Sequence, residues 1–363
     1  MSSQKLLLCA WRTSKETSLL LGDIAVICYE MREYLEKNNL AWKVLLTRIS
    51  SVFISLLSEI KHRGAFEQAY IGFCQICLVL WKTLNQSNCA GSMTETNQQS
   101  VRDISMDNTR HNDQQTAMTN PLIMLQEALI SLNSNDIDDE DSIRYQCSSD
   151  IQKTKGKPNS LCSTRRSAGI PFLIQGIVAT DPDKNLSSLK FAFRELFELA
   201  KPLMHVELNK STLESYIMET NNDSSVHACN ILRVLYRDSG LGDAVLPYVA
   251  DGVIAAINGF KAKSWPIRNS ATLLFSALVT RIFGVKRSKN ELSKKNSMTA
   301  RSFFQRFPKL YIFLLEQINI AADQIGTIAP CGKETNLRII NPEKENPAYP
   351  SLIILAKLLS III

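Results

Sequence analysis

The sequence predicts an all-α protein, and three observations support this class. Apolar residues recur three and four positions apart through 14–31, 42–61 and 65–84, which is the period of a helix with one buried face. Alternating strand-like runs bounded by turn pairs are scarce. Hydrophobic residues make up 45% of the 363 residues, which is enough for a sizeable core, so disorder over the whole length is excluded.

The first part of the chain, residues 1–85, is assigned to helical repeats. The cationic run Lys61–Arg63 precedes Gly64. Cations suit the last turn of a helix and a glycine suits its cap, so one helix is predicted to end here. The next helix starts directly afterwards, which predicts an antiparallel pair.

Residues 86–162 are predicted to be a largely disordered polar insert. From about 86 to 118 the composition shifts to Asn, Gln, Ser and Thr, which bury too little apolar surface to offset the entropy of ordering. One short helix is predicted at 120–133. The stretch 134–162 carries an acidic run followed by lysines and is interpreted as a second flexible loop.

After Ser163 the pattern returns to helices, each with one apolar stripe that it cannot bury alone. Stacked helix pairs solve this problem, as in HEAT and armadillo solenoids, although no strict residue-by-residue repeat is visible. We assign 163–325 to a helical core and 326–363 to a loop and a final helix, which ends on three isoleucines and is expected to be truncated. The predicted helical blocks are 164–180, 186–202, 211–218, 226–239, 243–259, 265–284, 299–305, 307–323 and 349–362.

The helix predicted at 226–237 has an apolar side and an arginine side. Its arginine side is either a binding surface or an ordinary solvated face. The apolar side contains Ala228, Ile231, Leu232, Leu235 and Tyr236, and the opposite side contains Asn230, Arg233 and Arg237.

The helix predicted at 265–284 begins with Ser264 as its cap and Pro266 in its first turn. Small polar residues lie opposite its apolar stripe, and small residues let another backbone approach closely. We therefore expect this helix to be packed on both sides, with Arg268 and Arg281 at the edges of the stripe. The small polar residues are Asn269, Thr272, Ser276 and Thr280.

A strongly basic stretch follows at 284–310, where eight Lys or Arg residues stand against one acid, Glu291. The local excess of +7 is larger than the formal charge of +6 of the whole chain. Such a surface suits phosphates, so we predict a binding site for RNA or a protein partner. The phenylalanines at 303, 304 and 307 could stack on bases, but their helical spacing favours the core. The candidate residues are Arg165, Arg166, Arg233, Arg237, Arg268, Arg281, Lys286, Arg287, Arg301 and Arg306.

Other chemistry finds little support in the sequence. Cys74 and Cys77 are a lone pair without the second pair of a tetrahedral metal site, and no Gly-x-Ser-x-Gly element or phosphate-binding glycine loop is present. We expect no catalytic residue, metal or cofactor. Cysteines inside apolar helical runs and an N-terminus unlike a signal peptide predict a cytoplasmic protein, and no apolar run reaches the roughly 20 residues that span a bilayer.

Four ordered segments carry a specific resemblance to a known family. They are "RRSAGIPFLIQGIV" (165–178), "HACNILRVLYRDSGLGDAVLPYVADGVIAAINGF" (227–260), "WPIRNSATLLFSALVTRIFGVKR" (265–287) and "MTARSFFQRFPKLYIFLLEQ" (298–317). These segments closely resemble the central region of the thyroid-adenoma-associated (THADA) protein family, and 6–22 is similar to the segment just upstream.

The resemblance implies a large α-helical repeat protein that is the non-catalytic partner of an FtsJ-type tRNA methyltransferase. In that family the complex adds a 2′-O-methyl group in the tRNA anticodon loop, and the partner enzyme carries the S-adenosylmethionine site. Animal members are also linked to calcium handling and energy balance. The alternative is a protein-binding helical scaffold without RNA contact, whose basic face docks an acidic partner.

Overall fold

A computed structural model of the chain describes residues 3–59, 62–91, 119–132, 167–183, 186–204, 222–284, 298–326 and 348–359. Across these ranges all regular structure is helical, with fourteen α-helices and one 3-10 segment, so the all-α prediction is confirmed. The chain divides into two compact units, Met1–Ala192 and Phe193–Ile363. No helix in the described ranges is long and apolar enough to cross a membrane.

The first unit contains α1 (Ser3–Glu30), α2 (Arg32–Lys37), α3 (Trp42–Glu59), α4 (Arg63–Gly91), α5 (Pro121–Ser131), α6 (Ile170–Ala179) and the first part of α7 (Ser187–Leu199). The predicted helix end at Arg63 and Gly64 is wrong, because His62 is not helical and both residues lie in the first turn of α4. Because Gly64 has no Cβ, the indole of Trp11 can lie close to its backbone. A Cβ on Gly64 would lie 2.6 Å from Nε1 of Trp11.

Helices α1 and α4 run parallel and touch through glycines. A Cβ on Gly72 would lie 2.1 Å from the backbone oxygen of Ser18, and a Cβ on Gly22 would lie 2.8 Å from the Cα of Gly72. The backbones therefore approach each other without side chains between them. Helix α4 continues to Gly91, past residue 86 where the polar composition begins.

Hydrogen bonds join the two helices along the sides of this contact. Gln75 donates from Nε2 to Oδ1 of Asp23 at 2.9 Å, and Gln86 donates from Nε2 to the hydroxyl of Tyr29 at 2.8 Å. Residues later in α1 thus meet residues later in α4, which establishes the parallel direction.

The second unit contains the rest of α7, then α8 (Lys201–Met204), α9 (Asn222–Arg237), the 3-10 segment Gly242–Tyr248, α10 (Val249–Gly259), α11 (Trp265–Phe283), α12 (Ala300–Arg306), α13 (Pro308–Gly326) and α14 (Ala348–Leu359). The predicted block 211–218 lies outside the described residues. Helix α9 begins earlier than predicted, at Asn222, and α6 begins later than the predicted residue 164, at Ile170.

The block predicted as one helix at 243–259 is divided. A 3-10 segment containing Pro247 ends at Tyr248, and α10 follows. Proline has no N–H for the helical ladder, which favours a break here. The hydroxyl of buried Tyr236 donates to the backbone oxygen of Tyr248 at 2.6 Å and so fixes the junction from α9.

Close packing also joins α10 to its neighbours. A Cβ on Gly259 would lie 2.5 Å from the Cβ of Ala271 in α11. Lys309 of α13 pairs with Asp251 at 3.0 Å, and Lys261 donates to Oε1 of Gln317. Burial of the Lys261 amine lowers its pKa. Helices α10 and α13 therefore run parallel, with α11 packed against α10.

Candidate nucleic-acid interface

Arg281 fastens the last turn of α11 to the end of α9. Its Nε donates to the backbone oxygen of Tyr236 at 2.9 Å, and its Nη2 donates to the backbone oxygen of Asp238. The last carbonyls of a helix have no partner within the helix, and a cation suits that negative end. Arg281 is half-buried and therefore has a structural role as well as a charge.

The two arginines of α9 lie one turn apart at this junction. Arg237 is exposed in the last turn of α9, and Arg233 is half-buried. Asn230 was predicted on the same face, and only 2% of its surface is exposed, so this face is covered at that turn. Every side chain from Ser224 to Leu232 is buried, which shows that α9 is covered on more than one side.

Helix α12 brings two more arginines to the same end of α11. The ring of Phe283, the last residue of α11, stacks on Phe303 with centroids 6.0 Å apart and planes 12° apart. Arg301 and Arg306 are both exposed on α12. The guanidinium of Arg306 lies 5.9 Å from the ring centroid of Phe307.

The phenylalanines of this region pack in the core. Phe303 and Phe307 are buried and Phe304 is half-buried, in contact with the ring of Phe303. Core packing, which their spacing favours, is confirmed for the two buried rings, and neither of these is accessible for stacking on a base.

Sequence reasoning missed one cation at this place. Lys357 of α14 lies over the ring of Phe283, with its Nζ 5.8 Å from the centroid. In the sequence Lys357 interrupts an apolar run. A lysine in an amphipathic helix does not indicate which residues of other helices it will contact. We call Arg237, Arg281, Arg301, Arg306 and Lys357 the C-terminal basic cluster of α11.

Of the other candidate residues, Arg233 is half-buried one turn before Arg237, and Arg268 lies away from this cluster. Arg268 lies 13 residues before Arg281, about 20 Å along the helix axis. Its Nη1 donates to the backbone oxygens of Ala262 at 2.9 Å and Lys263 at 2.7 Å, which fixes the loop before α11. Arg165, Arg166, Lys286 and Arg287 lie outside the described residues.

The outer face of α11 is accessible, contrary to the prediction that the helix is packed on both sides. Thr272, Ser276 and Thr280 are exposed, and Asn269 is half-buried. The hydroxyls of Thr272 and Thr280 donate to carbonyls one turn earlier in α11, at 2.8 and 2.9 Å, so they are satisfied without a neighbouring helix. Ser264 occupies the cap position, but its side chain makes no capping bond.

Two fully buried cysteines of the described ranges are poorly suited to act as nucleophiles. Burial raises the pKa of Cys229 to about 12 and the pKa of Cys77 well above its ordinary value, so both thiols are protonated at neutral pH. No group of three or more His, Cys, Asp or Glu residues in those ranges could hold a metal ion.

Comparison with known proteins identifies relatives over most of the chain. Residues 1–266 match the THADA/TRM732 family (DUF2428), and residues 268–361 match the C-terminal TPR repeats of Trm732. TPR repeats are themselves stacked helix pairs, which supports the helical-repeat assignment. No solved structure matches the chain.

The similar proteins are named as regulators of a tRNA methyltransferase. The tRNA (32-2′-O)-methyltransferase regulator THADA of Gallus gallus is 38% identical over 90% of this chain, and the Drosophila melanogaster protein of that name is 32% identical over 89%. The regulator trm732 of Schizosaccharomyces pombe is 24% identical over 90% of the chain. The chain spans only 14 to 17% of the length of these relatives. On the family match and these identities, the chain belongs to the THADA/TRM732 family.

Proposed function

We propose that this chain is part of a non-catalytic regulator of an FtsJ-type tRNA methyltransferase that methylates a ribose 2′-hydroxyl in the anticodon loop. The observation that carries the proposal is the alignment of 90% of the chain with proteins named as regulators of a tRNA (32-2′-O)-methyltransferase. The partner enzyme supplies the chemistry and binds S-adenosylmethionine. We place the complex in the cytoplasm.

The contribution of this chain to tRNA binding is proposed to lie in the C-terminal basic cluster of α11. Arg237 and Arg301 are exposed there and come from different helices, α9 and α12. Cations that neutralise phosphates position an RNA without reading its sequence. Such contacts suit a regulator that holds the tRNA, because the enzyme would select the nucleotide.

Reconstitution tests the proposal. The chain is mixed with an FtsJ-type tRNA methyltransferase, S-adenosylmethionine and unmodified tRNA, and ribose methylation in the anticodon loop is mapped. We expect methylation only when both proteins are present. The double variant Arg237→Glu/Arg301→Glu should lower the rate about tenfold or more, since it reverses two phosphate contacts at once.

The matched control reverses two exposed arginines of the first unit, Arg12→Glu/Arg48→Glu. This variant has the same net charge as the test variant and should keep most of the activity. If the enzyme neither binds the chain nor gains activity from it, the regulator proposal is wrong. An equal loss in the two double variants would instead reject the assignment to the α11 cluster.

A second candidate function is a protein-binding scaffold without RNA contact. It is favoured by large apolar side chains exposed on α13 and α14, namely Tyr311, Ile312, Leu315, Tyr349 and Leu352. Competition separates the two candidates: an RNA-binding chain retards tRNA in a gel despite an acidic protein competitor, whereas a protein-binding scaffold with a basic docking face is captured by the competitor.

A further inference from the structure

Trp265 is far more exposed than the other tryptophans. Its side chain is 58% exposed, whereas Trp42 and Trp81 are 6% and 4% exposed and Trp11 is half-buried. Tryptophan is among the largest apolar side chains and is usually highly buried on average, so the exposed indole of Trp265 offers a large aromatic face whose neighbours decide what it can bind.

The surroundings of Trp265 are basic and polar. It is the first residue of α11, directly after a loop that contains exposed Lys263. Arg268 lies one turn further along the same side of the helix, held in place by the carbonyls of Ala262 and Lys263. Helix α11 contains no Asp or Glu, so no acidic residue of this helix repels an approaching phosphate.

Trp265 also begins the accessible outer face of α11. Helical spacing places it in line with Asn269, Thr272 and Ser276, on the side opposite the buried Ala271 and Leu278. These neighbours are small and polar, so a bulky ligand can approach the helix backbone closely. The same face reaches Phe283, where Lys357 lies over the ring.

We infer that Trp265 is a stacking platform for an unpaired RNA base, and that the outer face of α11 carries the adjoining ribose-phosphate backbone. An indole face stacks on any base, and basic side chains beside it hold the phosphates. The neighbours of Trp265 along this face of α11 are polar or cationic, which favours a ligand that carries phosphates. The inference rests on the proposed function and adds single-stranded RNA, the form found in a tRNA loop, as the ligand of this face.

Binding of two RNA probes to the full chain tests the inference. One labelled probe is a stem–loop with the sequence of an anticodon arm, and the other is a blunt duplex of the same stem without a loop. Fluorescence anisotropy at fixed salt gives Kd for wild type, Trp265→Ala and Trp265→Phe. Thermal unfolding checks that the variants fold, as expected for a change at an exposed side chain.

Trp265→Ala should weaken stem–loop binding about tenfold or more, because stacking on a base is lost. Trp265→Phe retains an aromatic face and should keep most of the affinity. Neither variant should change the affinity for the duplex, in which every base is already paired and stacked. Loss of loop binding with rescue by phenylalanine supports the inference.

Three outcomes would overturn it. Unchanged stem–loop binding by Trp265→Ala, while Arg237→Glu/Arg301→Glu still weakens binding, rejects the stacking role and leaves the proposed function intact. Equal weakening for stem–loop and duplex shows that the tryptophan has no role specific to unpaired bases. If wild type binds neither probe, both the inference and the RNA contact in the proposed function are wrong.

Discussion

Arg281 shows how one side chain at a helix end joins two elements. It bonds the backbone oxygens of Tyr236 and Asp238, where α9 ends and the next turn begins. Replacing it with methionine keeps much of the apolar stem but removes both bonds. We expect Arg281→Met to lower the free energy of unfolding by about 1–3 kcal/mol, the usual cost of leaving a buried polar group without its partner.

Denaturant unfolding measures this effect, with Arg237→Met as the control. Arg237 is exposed on the same stretch of chain, and its replacement should change stability by less than about 0.5 kcal/mol. Equal stabilities for the two variants would contradict the capping role. A fall in RNA binding after changing Arg281 therefore needs a stability measurement beside it, whereas Arg237 and Arg301 report on charge more directly.

At the scale of a helix pair, Gly72 determines how closely α1 and α4 pack. An added methyl group would lie 2.1 Å from the backbone oxygen of Ser18 and 2.8 Å from the ring of Phe53. The backbone oxygen cannot move without the helix, so Gly72→Ala should destabilise the first unit by about 1–3 kcal/mol, as overpacking does. The midpoint of thermal unfolding measures the loss.

The neighbouring change Ile71→Ala is the matched control, because Ile71 is exposed on the same turn. It should leave the midpoint almost unchanged. A Gly72→Ala variant as stable as this control would mean that α1 and α4 separate without cost, and the glycine contact would then have no energetic role.

The sequence predicted helices well where residues at the helix ends mark the boundaries. Helix α11 was predicted at 265–284 and lies at Trp265–Phe283, because proline in its first turn and Gly284 after its end mark both boundaries. The break at Tyr248 was missed although Pro247 favours it, and the hydroxyl of Tyr236 in α9 that fixes the junction is not visible in the local sequence.

The candidate site was predictable only in part. Local charge density pointed to Arg237, Arg301 and Arg306, which lie exposed at one end of α11. It could not reveal that Arg281 bonds backbone carbonyls, since carbonyls are the same in every residue and leave no mark in the sequence. Nor could it reveal Lys357, which reaches the site only through the packing of α14.

At the scale of the whole molecule, the distribution of charge predicts how RNA binding responds to salt. A plot of log K against log salt concentration has a slope of about −0.7 to −0.9 per neutralised phosphate. Arg237→Glu/Arg301→Glu should therefore make the slope shallower by about 1.4–1.8 if both residues contact phosphates. Titration of wild type and variant with tRNA at several salt concentrations measures it, and parallel slopes would contradict phosphate contact.

The parallel helix pairs of the two units have a consequence for how the chain is connected. In the first unit the bonded partners, Asp23 with Gln75 and Tyr29 with Gln86, are 52 and 57 residues apart. In the second unit Lys261 with Gln317 and Asp251 with Lys309 are 56 and 58 residues apart. Nearly the same interval recurs although the residues themselves differ.

The interval is longer than the 34 residues of a TPR unit and the roughly 40–47 of HEAT or armadillo units. A third contact, from Arg281 of α11 to the backbone oxygens of Tyr236 and Asp238, spans 45 and 43 residues, so these intervals do not define a single repeat length. What the two pairs share is the parallel direction at a long interval, whereas the contacts themselves differ: a glycine crossing in the first unit and an ion pair in the second.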